Sequence, residues 1–139
     1  MSKLLLPVVA LGTWTFLMWT WMYVTRIPAI RGARMRLDPN APRGEQMASL
    51  PPHVRWKADN YNHLMEQPTV FYAVALALAI SGREQGVDVT LAWTYVGMRV
   101  VHSVFQATVN KIEVRFAIFF VSSLVLAWLT VSAGLAMLG

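Results

Sequence analysis

The stretch "MRVVHSVFQATVN", residues 98–110, decides how this chain is read. It lies in an otherwise apolar run from about Val89 to Val109, yet it carries Arg99, His102, Gln106 and Asn110. A charged side chain at a bilayer centre costs roughly 2.5–3.5 kcal/mol on insertion scales. The fold turns on why a membrane-spanning segment would keep such residues. At ~100° per residue, Arg99, His102, Ser103, Gln106 and Asn110 fall within about 100° of arc, and the other faces are apolar or small. The polar residues form one face. Such a face belongs against a bundle interior or a water-filled cavity, not against lipid.

Composition agrees with a membrane setting. Of the 139 residues 56% are hydrophobic and only 14% charged, against about a quarter charged in a soluble domain. The length allows a single domain, 1–139. The net charge is +5, and most of the basic residues from Arg26 onward gather before Lys57. Between hydrophobic spans such a cluster reads as a loop retained in the cytoplasm by the positive-inside rule, not as a nucleic-acid surface. The chain has no cysteine, which excludes disulfides, thiolate catalysis by the protein and Cys-based metal sites.

Four spans follow. The first, "LLLPVVALGTWTFLMWTWMYVT" at 4–25, is uncharged and long enough to cross ~30 Å of hydrocarbon. Its bulky end lacks the small-residue cleavage site of a signal peptide. Residues 26–58 hold most of the prolines and form a basic loop. The second span covers 60–81 and stops at Ser81-Gly82. Asp88 is the expected N-cap of the third span, 89–109, and "NKIEVR" leads into the fourth, 114–138. The expected fold is an all-α integral membrane four-helix bundle. Its basic loop and the turn at Lys111 and Arg115 are cytoplasmic, and both termini are on the non-cytoplasmic side.

The second span has a polar face of its own. Asp59, Asn62, His63 and Glu66 share it, and it continues as Val70, Ala73 and Ala77, where small residues allow close helix approach. Pro68 removes a backbone bond to Leu64 and predicts a kink. If the second and third helices are antiparallel neighbours, Glu66 lies ~9 Å above Asn60, Gln106 and His102 ~6 and ~12 Å above Asn110, and Arg99 ~16 Å. Arg99 could then reach toward Glu66. Two readings stay open. In one, a buried Glu66–Arg99 ion pair fixes helix register, and His102 and Gln106 satisfy leftover groups. In the other, Asn60, Asn62, His63, Glu66, Arg99, His102, Gln106 and Asn110 line a pocket that binds a charged ligand. Arg115 at its mouth inclines that pocket toward an anion. Asp59, His63 and Glu66 bring only one histidine to one helix, so no metal is expected.

"NYNHLMEQPTVFY" at 60–72 and "RVVHSVFQATVNKIEVRF" at 99–116, joined by "AW.Y" at Ala92, Trp93 and Tyr95, give the chain a likeness to a known family. It resembles the MAPEG superfamily, the membrane-associated proteins in eicosanoid and glutathione metabolism, and within it bacterial members of unassigned role. The resemblance covers most of the chain. It implies a homotrimer in the bacterial inner membrane, with sites between subunits near the cytoplasmic face. In the glutathione-using members arginines, an Asn and a Glu hold the tripeptide; Glu66, Arg99 and Arg115 match those positions. An arginine there stabilises the glutathione thiolate, the role Arg115 would take as catalytic residue, for attack on a hydrophobic electrophile. The sequence departs from that pattern at three places. Asp59 or Ala58 stands where glutathione users have an arginine, His63 where they have an asparagine, and Gln106 where a tyrosine commonly serves the thiol. Two functions are therefore carried forward: a glutathione-dependent transferase or peroxidase, and a non-catalytic membrane module that binds a lipid or packs into a larger membrane complex.

Overall fold

The computed structural model describes residues 1–139 and contains helices but no strand. α1 (Leu5–Gly32) is followed by a short α2 (Glu45–Ala48), then α3 (Pro52–Leu64), α4 (Pro68–Ser81), α5 (Gly86–Thr108) and α6 (Ile112–Leu138). Three helical stretches are long and apolar enough to cross a membrane: Leu5–Gly32, Pro52–Ser81 and Ile112–Leu138. The second is α3 and α4 taken together. α5, with 23 residues, is comparable in length but carries the polar face.

The helix ends differ from the sequence-based expectation, each for a local reason. α1 runs seven residues past Thr25, so Arg26 and Arg31 are helical and not loop residues. Its 28 residues span ~42 Å, more than the ~30 Å of hydrocarbon. The segment expected to be a continuous loop to residue 58 is helical again from Pro52, where a proline occupies the first helical turn that tolerates it. Lys57 ties this end together. Its Nζ donates to the His53 and Ala107 carbonyls at 2.8 and 3.3 Å and sits 4.9 Å from the Trp21 ring centroid.

Pro68 does more than kink. It cannot donate to the Leu64 carbonyl, and residues 65–67 leave the helix in tight turns before α4 restarts at Pro68 itself. At the opposite end Gly82 stops α4 at φ +66°, a left-handed conformation that suits glycine. Asp88 is not the N-cap of α5. Gln85 is, and Asp88 sits three residues later, accepting the Gln85 backbone N–H at 2.8 Å in a capping box. The same carboxylate accepts from the Ser132 hydroxyl of α6 at 2.5 Å.

α5 packs most closely on α6 and also against α3 and α1, while α4 lies on α6 and α1. Leu4, Leu11, Leu64, Phe71, Leu78 and Leu129 fill the shared core, and Phe71 stacks on Tyr95 with centroids 4.9 Å apart. Both termini come to the end that carries the 82–85 turn. The Ser2 hydroxyl and the Lys3 N–H donate to the Glu84 carboxylate, and Arg83 donates to the Ala136 carbonyl. Residues 33–51 and 109–111 mark the other, basic end.

Candidate functional site

The polar face of α5 is turned entirely inward. Arg99 and Ser103 have no exposed surface, and His102 and Gln106 are 2% exposed. The face looks onto α3 and α6, and what waits there explains the burial. The break at residues 65–67 leaves the His63 carbonyl with only a long 3.4 Å bond from the Glu66 N–H. Arg99 Nη2 takes up that carbonyl at 3.3 Å and also donates to His63 Nδ1 at 2.8 Å. A guanidinium is donor only, so Nδ1 is an acceptor and any ring proton of His63 is on Nε2. The His63 ring stacks on His102 with centroids 4.9 Å apart. Phe119 of α6 meets His63 edge-on at 5.2 Å and lies under the Arg99 guanidinium at 5.8 Å.

Arg99 therefore has no carboxylate partner. The Glu66–Arg99 ion pair of the first of the two readings does not form, because His63 takes the guanidinium and Glu66 stands exposed in the break made by Pro68. Much around Arg99 is unpaired. Its Nε and Nη1, both amide atoms of Asn60, the Ser103 hydroxyl and Gln106 Oε1 are buried without a hydrogen-bond partner. Each unpaired buried polar group costs about 1–3 kcal/mol, and a charged one more.

The candidate residues divide into two groups. His63, Arg99 and His102 gather with Phe119 between α3, α5 and α6, and Asn60 and Gln106 are buried on α3 and α5. Asn62 faces a different space, where it joins Arg55 and Asp59 with Arg26 of α1 and Gly44 of the loop around a polar cavity of about 230 Å³. Asp59 and His63 consequently face different spaces. Asn110 is a turn residue. At φ +55° it closes the C-terminus of α5, its N–H bonded to the Phe105 carbonyl at 2.8 Å, and its side-chain oxygen accepts from Arg115. Arg115 is thereby held half-buried at the basic end, with its Nε unpartnered.

Three contributors are absent from the sequence-based set. Arg26 was counted as loop charge because the first span was closed at Thr25; its Nε is buried and unpartnered. Gln67 donates to the Ser123 hydroxyl at 2.8 Å and accepts from the Tyr95 hydroxyl at 3.3 Å, joining the break to α5 and α6. Phe119 looked like one apolar residue among many in the fourth span; nothing in its spacing marks it as the floor of a polar cluster.

A model of the MAPEG family matches residues 4–135, nearly the whole chain. The chain belongs to the MAPEG family. No curated protein and no solved structure matches it. Family membership, together with three helices able to cross a bilayer, makes this MAPEG protein an integral membrane protein in contact with lipid.

Proposed function

We propose that this MAPEG protein binds a small anionic peptide of the glutathione class at its basic end and acts there as a glutathione-dependent transferase or peroxidase on hydrophobic electrophiles. One observation carries the reading: a fully buried guanidinium, Arg99, that has unused donors and no ion pair, with Glu66 standing exposed nearby. A buried charge needs a counter-charge, and leaving one uncompensated costs several kcal/mol. Arg26, Arg55 and Arg115 add three more cations toward the same end, against the exposed Asp59 and Glu66. Glutathione, with two carboxylates and one ammonium, fits a surface that is mostly cationic with a few acids.

The cavity of about 230 Å³ beside Arg26 and Arg55, which Arg99 and Arg115 do not line, is smaller than the ~300–1,000 Å³ usual for a ligand pocket. A second copy completing the site would supply the rest, which supports the homotrimer that the family resemblance implies. In this arrangement α5 is the fourth span, its polar face shielded by α3 and α6. The basic end faces the cytoplasm by the positive-inside rule, both termini lie opposite, and the setting is the bacterial inner membrane.

In the chemistry, the glutathione thiol loses its proton to water and Arg115 stabilises the thiolate. The sulfur then forms a bond to the electrophilic carbon, and the displaced electron pair leaves with the leaving group or is protonated. Gln106 provides an amide where the glutathione users have a phenol, so thiolate stabilisation rests on Arg115. That same residue favours a second reading, a non-catalytic membrane module that binds a lipid or packs into a larger complex.

Conjugation assays separate the two. The purified protein should conjugate a standard electrophile to glutathione, and Arg115→Met should abolish this and reduce the rise in Tm that glutathione gives. No conjugation and no Tm shift at millimolar glutathione would overturn the enzyme reading.

A further inference from the structure

At the end of the molecule opposite the basic cluster, a groove of about 830 Å³ runs between the start of α5 and the C-terminal half of α6. Its walls are Leu124, Trp128, Val131 and Leu135 of α6 with Val87 of α5, and Arg83 stands at its mouth. The lining extends from Leu124 to Ala136 along α6. The twelve steps between them cover ~18 Å at 1.5 Å per residue, close to half of a ~30 Å hydrocarbon core. The groove is therefore about one leaflet deep. Its mouth is level with the 82–85 turn, where chain leaves the bilayer core.

The charges at that mouth are arranged unequally. Arg83 is exposed, and its one hydrogen bond, Nη1 to the Ala136 carbonyl, fixes the guanidinium over the groove. A guanidinium has five N–H donors, so four remain. Neither nearby acid pairs with it. Asp88 is buried, one oxygen accepting from Ser132 and the other from the Gln85 N–H. The Glu84 carboxylate is held on the other side of the turn by Ser2 and Lys3. What is left is a single unpaired cation above an apolar channel of leaflet depth.

We propose that this groove is a binding site for an anionic phospholipid, one acyl chain lying against Trp128 and Leu124 and the phosphate on Arg83. Planar guanidinium donors suit phosphate oxygens, and one cation at an anionic lipid surface confers about a fivefold preference. This site is separate from the proposed glutathione site and does not depend on it.

Trp128 is 66% exposed and provides the probe. The full chain would be reconstituted in phosphatidylcholine vesicles containing a minor fraction of either phosphatidylglycerol or phosphatidylcholine with brominated acyl chains. Tryptophan quenching would be recorded, and the Trp128 share obtained by difference from Trp128→Phe. The expected result is quenching of Trp128 about fivefold stronger per mole fraction by the brominated phosphatidylglycerol. That preference should be lost in Arg83→Gln and kept in Arg83→Lys. Equal quenching by both lipids would mean ordinary surrounding lipid, and no quenching by either would mean that a second copy covers the groove. Both results overturn the proposal, and neither depends on an Arg83 variant.

Discussion

Arg99 shows what a single residue reveals and hides. Its place on a buried polar face could be read from periodicity, since Arg99, His102, Ser103 and Gln106 recur at helical spacing and all are buried. Its partner could not. Depth along two ideal helices put Glu66 within reach, but the turns at 65–67 move Glu66 out of the helix and free the His63 carbonyl, so Arg99 bonds to His63. A double-mutant cycle distinguishes these partners. Arg99→Met with His63→Leu should show a coupling of about 1–3 kcal/mol, as residues in one hydrogen-bonded network do. Arg99→Met with Glu66→Gln should be additive within about 0.5 kcal/mol. Thermal denaturation of the three single and two double variants measures both, and strong coupling to Glu66 would restore the ion pair.

Among the elements, the helix boundaries depend on capping chemistry that composition only partly displays. Gly82 was readable as a stop, and it adopts the left-handed conformation that Cβ disfavours. Gly82→Ala should lower stability by about 1 kcal/mol, seen as a reduced Tm. Asp88 was placed at the N-cap because of its residue type, yet it works three residues in, where it closes a capping box and also holds Ser132. Asp88→Ala should cost more than the ~0.5–2 kcal/mol of a lost cap, because it also strands a buried hydroxyl. Asp88→Asn, whose amide oxygen can still accept the Gln85 N–H while its amide nitrogen donates to the Ser132 oxygen, should cost less; equal losses would refute the double role.

The start of α1 is joined to the same region by Glu84. The Ser2 hydroxyl, and then the Lys3 N–H, hold its carboxyl below the ordinary value of 4.5. A lowered folded-state pKa means that the contact stabilises above the unfolded value and is lost as pH falls through the folded one. Hydrogen exchange at Lys3 and Leu4 should therefore accelerate on acidification below pH 4.5, and Glu84→Gln should show much less of this change. Exchange that follows pH identically in the two proteins would exclude Glu84 as the cause.

For the whole molecule, the helical class and the membrane setting were plain from composition, because few charges and long apolar runs leave little else. The division of the candidate site was not. Asn62 and His63 are adjacent in sequence and, about 100° apart around α3, face different spaces, one beside Arg26 and Arg55, the other against Arg99. Arg26 entered the site only because α1 continues past the apolar run. The account rests on anionic charge being drawn to the basic end, and equilibrium binding of glutathione tests it most directly. Calorimetric titration of the purified protein should give saturable binding that weakens markedly in Arg26→Gln and Arg115→Met and is unaffected by Arg83→Gln. Absence of binding at millimolar glutathione, or binding indifferent to Arg26 and Arg115, would contradict it.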